Sequence, residues 1–450
     1  MEQIHIKKAQ PLKGSHSLPS DFWINWHSLS LALFSSEKTT LESIAETPFL
    51  QTALGHYKDL GYHFERDENS LVIPEQNKKP KLIDEPIIPE HEVILMTLLG
   101  IFLGFESTNT LTLCNKYISN KVIENVLKTF ECVIIDQSTE ESTKTLTIRV
   151  SGFRNRKMLS LKKNYLTKIA TLYYQIIKKE ACKWDVTESG PDHLERKITL
   201  FSQDIKLQVT NTDSMNELEK RMLRKLGQLE KPSQKILFPE NFKLNGTTLL
   251  SPSDCSSASI LILAATLIKG SQLTLENISM NPSRISLINA LKRMGATLTV
   301  TKKRQKNNEA SATVTTVSSE LVGRRFDFKA IEGLRDEIPL LIIAGAFAKG
   351  KTILRNVSFL RDYEADLLSK IILDLKSVQV EIGEVEDGLV IKGKESYDGR
   401  IFNTQGYAMM GFAYLVFALK AHGESVIEDI ECMKSQFNTA FEILTPSSPS

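Results

Sequence analysis

Residues 263–300 read LAATLIKGSQLTLENISMNPSRISLINALKRMGATLTV, and this stretch decides the fold. An apolar segment rich in small residues runs to Gly270, a helix-ending residue. Leu273 and Leu275 then alternate with polar neighbours as in a half-buried strand. Asn281 and Pro282 read as the N-cap and first position of a second helix. Leu287, Ile288, Leu291 and Met294 give it one apolar face, and Gly295 closes it before a strand with Leu298 and Val300. Helix, strand, helix and strand therefore follow one another within 38 residues.

The same order recurs along the chain, which makes a repeat the first thing to establish. At 33–64, Thr47 and Pro48 start a helix carrying Phe49, Leu50, Ala53, Leu54, Tyr57 and Leu60, and Gly61 ends it. Further copies lie at 98–135, 170–207 and 343–382, and a shortened one at 417–444. Six such units predict an α/β protein of two pseudo-symmetric lobes with three units each. The pattern breaks over 211–235 and at PENFKLNGTT, which starts at Pro239, so the lobes are expected to meet there. The polar run 302–312 reads as a surface loop.

Composition bounds the rest. A chain of 450 residues exceeds what one core ordinarily supports and suggests two large lobes. With 41% hydrophobic and 24% charged residues and no apolar run of about 20 residues, the expectation is a globular, cytoplasmic protein with no membrane partner. A net charge of +2 lacks the basic bias of a nucleic-acid binder. Cys114, Cys132, Cys182, Cys255 and Cys432 are odd in number and lack CxxC spacing. They read as reduced thiols, and the histidines show no metal-ligand spacing. GAFAKGKT at 345–352 fits a phosphate-loop pattern. It lies between an apolar helix and a strand, the reverse of the order that loop requires.

Several strings inside the units resemble the EPSP synthase (3-phosphoshikimate 1-carboxyvinyltransferase) family over nearly the whole chain. SPSDCSSASILILAA at 251–265 is similar to GDxSSAxFxLAAA, and NPSRISLINALKRMGA at 281–296 to NPxRxGxxxxLxxMGA. LRDEIPLLIIAGAFAKGKTIL at 334–354 is similar to IDExPxLAxxAAxAxGxTxI, and VTESGPDHLERKITLF at 186–201 to SRDHTERML. The resemblance implies an inside-out pair of lobes, each of three βαβαββ units with helices inside and sheets outside. Residues 1–19 with 245–450 would form the first lobe and 20–244 the second. It also implies enolpyruvyl transfer from phosphoenolpyruvate to shikimate 3-phosphate in the interlobe cleft, through a tetrahedral intermediate, with no metal or organic cofactor.

By the same resemblance Asp336 and Glu364 stand at catalytic acid–base positions, and Ser189, Lys434, Glu337 and Asp366 at substrate-binding ones. The cationic positions are altered. The family's LPGSKSxxNR is LPSDFWINWH here, with Phe22 for the Lys, Trp23 for the Ser and His27 for the Arg. FLRDYEADL puts Tyr363 and Leu367 where ELRxKESDR has Lys and Arg, TQGYAM puts Gly406 at the Arg of DHRxAM, and KSQF replaces KSFP. Two phosphates and two carboxylates packed together need Lys and Arg to neutralise them. The expectation is thus a degenerate member, weak or inactive in the family reaction, acting through a protein partner or another ligand. Two alternatives stand beside it. One is a working synthase, a monomer by expectation, using Lys116, Lys121, Lys162, Lys163 and Lys434 on small anionic substrates. The other is a transferase for a less anionic ligand, with Phe22, Trp23, Trp26 and Tyr363 lining the cleft. Lys168, with Lys162 and Lys163, reads as a solvated basic face or a rebuilt anion site.

Overall fold

Helices that are apolar on every side can only be stable when surrounded by protein. In the computed structural model the helices Cys255–Leu267 and Ile338–Ala346 are buried along their whole length, as is Ala408–Lys420 up to its last residue. The structure describes residues 2–44, 47–76, 78–81, 83, 87, 89, 91–105, 111–114, 133–140, 143–149, 165–186, 190–210, 233–327, 333–362 and 366–446. These three helices form the centre of a first core that also takes in Ile6 and Leu18 and ends at Leu444. A second core runs from Trp26 to Leu249 around the helices Phe22–Ala32, Glu92–Phe105 and Tyr165–Lys178. There Gly100 allows two helices to touch: a Cβ at this position would lie 2.4 Å from the carbonyl oxygen of Ala170.

Six small sheets of three or four strands surround the helices among the described residues. Gln272–Ser279 pairs in parallel with Lys13–Ser17 and antiparallel with Glu309–Val317, which in turn pairs with Thr297–Lys306. The same arrangement is built on Gly350–Arg355, parallel to Arg325–Phe326 and antiparallel to Gly388–Gly393. It is built again on Thr39–Glu42, parallel to Thr248–Leu250 and antiparallel to Ser70–Ile73. The inside-out α/β fold that the family resemblance implies is thus present.

Three local expectations need correction. The helix read as starting at Asn281 starts at Ser286, and 282–285 form a turn. Asn281 accepts from the Ser283 amide at 3.0 Å, and its amide group reaches the other core. The polar run 302–312 is not a loop but a β-hairpin, whose first strand has no buried face while Glu309 and Ala312 of the second are buried. The chain also crosses between cores later than expected. Phe242 and Leu244 are buried in the second core, and Thr248–Leu250 joins its sheet. The crossing strands meet at a Ser20–Ser253 bridge, where the Asp21 amide donates to Pro252 O at 2.8 Å and the Asp254 amide to Pro19 O at 2.9 Å. No helix among the described residues is long and apolar enough to cross a membrane.

Candidate functional site

Next to this crossing, three helix N-termini converge, and each needs an acceptor for its unpaired amides. Asp21 caps Phe22–Ala32 by accepting from the Ile24 amide at 3.1 Å, and Asp254 caps Cys255–Leu267 by accepting from the Ser257 amide at 2.6 Å. Glu337 stands at the start of Ile338–Ala346 and accepts from Ser256 Oγ at 3.1 Å. Arg284 lies among these carboxyls and donates to the same Ser256 Oγ at 2.6 Å.

Burial dominates the electrostatics. It pushes the Glu337 carboxyl up to about 8, against the opposing pull of Arg284 and the Ser256 hydrogen bond. Burial, and then the neighbouring Asp21, push Asp254 up to about 6. Arg284 is held charged: the fields of Asp21, Glu337 and Asp254 more than offset its own desolvation. Arg284 therefore serves first as counter-ion to the protein's own acids.

A cavity of about 870 Å³ opens between the two cores. Trp23, His91 and Glu92 line it from the second core, and Ser256, Arg284 and Asp336 from the first. Its remaining wall is largely apolar: Leu360, Leu367, Met409, Met410 and Phe437 contribute. Among the described lining residues, Arg284 is the one Lys or Arg. An adjoining cavity of about 430 Å³ shares Trp23, Arg284 and Asp336 and reaches Glu337. No group of three or more His, Cys, Asp or Glu side chains among the described residues is arranged to hold a metal.

The residues singled out from the sequence separate into distinct environments. Asp336 is exposed at the mouth of both cavities, whereas Glu337 beside it is buried. Leu367 and Gly406 line the main cavity; Gly406 has φ +77, where an Arg side chain would add about 1–2 kcal/mol of backbone strain. Trp23 packs on His91 with ring centroids 4.4 Å apart. Phe22 contacts Phe49 at 4.4 Å and lines a neighbouring groove with it. Trp26 lies inside the second core, stacked on Tyr57 at 4.9 Å, and not in the cleft.

Asp366 caps Leu367–Ser377 by accepting from the Ser369 amide at 3.0 Å, and it pairs with Arg361 at 3.0 Å. The Lys434 ammonium is paired with Glu2 near the N-terminus, and the side chain lines none of these cavities. His27 is buried with Nδ1 3.0 Å from Tyr173 Oη. Burial first, then surrounding positive charge including Lys168 and Lys197, holds its imidazole well below the ordinary range. Lys168 is neither a solvated face nor an anion site, because it is fully buried and its Nζ donates to Glu195 Oε1 at 2.7 Å and Pro191 O at 2.8 Å. Ser189, Tyr363 and Glu364 lie outside the described residues, as do Lys116, Lys121, Lys162 and Lys163.

Arg284, Ser256 and the kinked C-terminal helix were not singled out from the sequence, and His91 was read only as a histidine without metal-ligand spacing. Arg284 was legible as the Arg of NPSR. Phe437, with φ −137 and ψ 48, breaks Glu431–Leu444 at the place where KSFP carries its Pro.

The EPSP synthase (3-phosphoshikimate 1-carboxyvinyltransferase) family model matches residues 200–444. The 3-phosphoshikimate 1-carboxyvinyltransferase of Thermoanaerobacter sp. (strain X514) is 26% identical over 443 residues, 96% of this chain and 97% of the relative. That of Syntrophomonas wolfei subsp. wolfei (strain DSM 2245B / Goettingen) is 34% identical over 254 residues, 56% of this chain and 54% of the relative. Among solved structures, EPSP synthase from Acinetobacter baumannii has a TM-score of 0.73 at 21% identity, covering 98% of this chain and 97% of that one. The enolpyruvyl transferase NikO from Streptomyces tendae has a TM-score of 0.66 at 13% identity, covering 98% and 96%. Both likenesses are of fold.

Proposed function

We propose that this chain, which belongs to the EPSP synthase family, is a carboxyvinyl transferase whose interlobe cavity takes an acceptor less anionic than shikimate 3-phosphate. One observation carries the reading: among the described residues lining the cavity, Arg284 is the one Lys or Arg, and its charge is already opposed by Asp21 and Asp254. Phe22, Leu367 and Gly406 stand where the family motifs have cations, and all three line the cavity or its neighbouring groove.

A charge-assisted hydrogen bond contributes about 1.5–3 kcal/mol, so three missing ones remove roughly 5–9 kcal/mol of anion binding. That is comparable to the roughly 8 kcal/mol of a micromolar complex. The apolar wall formed by Met409, Met410, Leu360 and Phe437 instead suits a ligand with an apolar body. In this reading Arg284 holds the carboxylate of phosphoenolpyruvate, and Asp336, exposed beside it, takes the proton of the acceptor hydroxyl as that oxygen bonds to C2 and C3 gains a proton. Phosphate then leaves C2 and a proton leaves C3, which restores the double bond on the acceptor. Glu337 is the buried partner that keeps Ser256 and Arg284 in place. The working unit is one chain, cytoplasmic, without cofactor, divided into 1–19 with 245–450 and 20–244 except that the strand Thr248–Leu250 sits with the second lobe.

A second reading is favoured by the relatives' names: a 3-phosphoshikimate 1-carboxyvinyltransferase with cations supplied from Lys116, Lys121, Lys162 and Lys163. Phosphate release from phosphoenolpyruvate separates the two when acceptors with and without the 3-phosphate are compared, with Asp336→Asn as control. Release that depends on Asp336 and is greater with unphosphorylated hydroxy-carboxylates supports the first reading. Release confined to shikimate 3-phosphate supports the second, and none with any acceptor returns the chain to a binding role.

A further inference from the structure

The two lobes also meet through the tip of a β-hairpin. Strands Thr297–Lys306 and Glu309–Val317 are joined at Asn307 and Asn308, whose φ values of +52 and +60 fit the two-residue turn that asparagine tolerates. The strands belong to the sheet packed on the first core, but the tip lands on the helix His193–Phe201 of the second. Lys197 Nζ donates to Asn307 O at 2.6 Å and lies 3.4 Å from Glu309 Oε1. His193 Nδ1 is 3.2 Å from the same carboxylate oxygen. Asn308 and Arg196 exchange two side chain to backbone hydrogen bonds, each 3.3 Å. The Asn307 side chain bonds Leu250 N and Thr248 O of the second lobe's sheet, both at 3.2 Å. Alongside, Asn281 Nδ2 and Ser283 Oγ of the first lobe donate to Asp192 Oδ1 at 2.8 and 3.0 Å.

The side chains of His193, Lys197 and Glu309 are each about 1% exposed. A carboxylate in so dry a place is tolerable only while paired, and separating it from its partners leaves buried charge uncompensated. We propose that Glu309 is a positioning residue, an internal anion that fixes the two lobes against each other in place of an anionic ligand. Phe22, Leu367 and Gly406 remove cations that could draw lobes together around a bound anion, and the hairpin tip supplies an attraction that needs none. The basic helix His193–Phe201 receives a carboxylate belonging to the chain itself. This role rests on the reading of the cavity as poor in cations.

Small-angle scattering of the whole chain without ligand tests it, using Glu309→Gln, which keeps the shape and removes the charge. The wild type is expected near the roughly 22 Å radius of gyration of a compact chain of this length. The variant is expected to show a larger radius well below its melting temperature and to contract when Glu309 is restored. A Glu309→Gln profile superimposable on the wild type, even with a lowered melting temperature, overturns the proposal, because a merely stabilising contact would do that. If Glu309→Gln does not fold, Lys197→Gln removes the cation that faces the Glu309 carboxylate from the second lobe. It must then show the same expansion, and an unchanged profile counts equally against the proposal.

Discussion

Glu337→Gln should make this protein more stable, and increasingly so as the pH rises. The Glu337 carboxyl is about 3% exposed, and burial raises it from 4.5 to about 8 in the folded state. Below about pH 4.5 it is protonated in both folded and unfolded chains, and its titration contributes nothing to the pH dependence. Between 4.5 and 8 the folded protein retains a proton that the unfolded chain releases. Folding stability then falls by up to about 1.4 kcal/mol for each pH unit. Above 8 the full penalty is present. A neutral glutamine of the same shape never incurs it and can still accept from Ser256. The stability difference between variant and wild type should thus be near zero at pH 4.5, about 3 kcal/mol at pH 7 and roughly 4–5 kcal/mol at pH 9. Asp254, pushed up to about 6, titrates in both proteins and largely cancels from the difference. Urea denaturation at closely spaced pH values measures it. A constant gap, or one that closes as pH rises, would refute a buried proton on Glu337.

Two further substitutions separate structural acids and bases from those facing the cavity. Asp366→Ala removes the cap of Leu367–Ser377 and should cost about 1–2 kcal/mol in denaturant melts, leaving cavity binding unchanged; a change in ligand affinity at unchanged stability would show that Asp366 faces the ligand instead. Lys168→Met strands the buried Glu195 carboxylate and should cost about 3–5 kcal/mol, while Lys168→Met with Glu195→Leu should recover most of it. If the double variant is no better than the single, the pair is held for some other reason.

What the sequence disclosed followed the range of the interactions involved. The helix ending before Gly270, the strand through Leu273 and Leu275 and the helix start at Thr47–Pro48 are fixed by neighbouring residues, and all are present. Asn281 was misread because its partners, Asp192 and His193, lie almost ninety residues away on the other lobe. The run 302–312 was misread because its first strand has no buried face to set an apolar alternation. Lys168 looked solvated because Glu195, which neutralises it, is twenty-seven residues distant. The cavity acids were visible through the family strings. Their balance against a single Arg284 was not, since it depends on three helix starts brought together by the fold.

The central claim concerns anion binding in the interlobe cavity, and the melting temperature with shikimate 3-phosphate and phosphoenolpyruvate tests it most directly. A ligand at a hundred times its dissociation constant stabilises a fold by about 2.7 kcal/mol, which a melt resolves readily. With one cation among the described lining residues, already opposed by the protein's own carboxyls, shikimate 3-phosphate at about a hundred times the micromolar affinity of an ordinary complex is expected to add no shift to that of phosphoenolpyruvate alone. A clear upward shift, lost on replacing lysines at 116, 121, 162 and 163, would contradict the account and assign the chain the acceptor of its relatives.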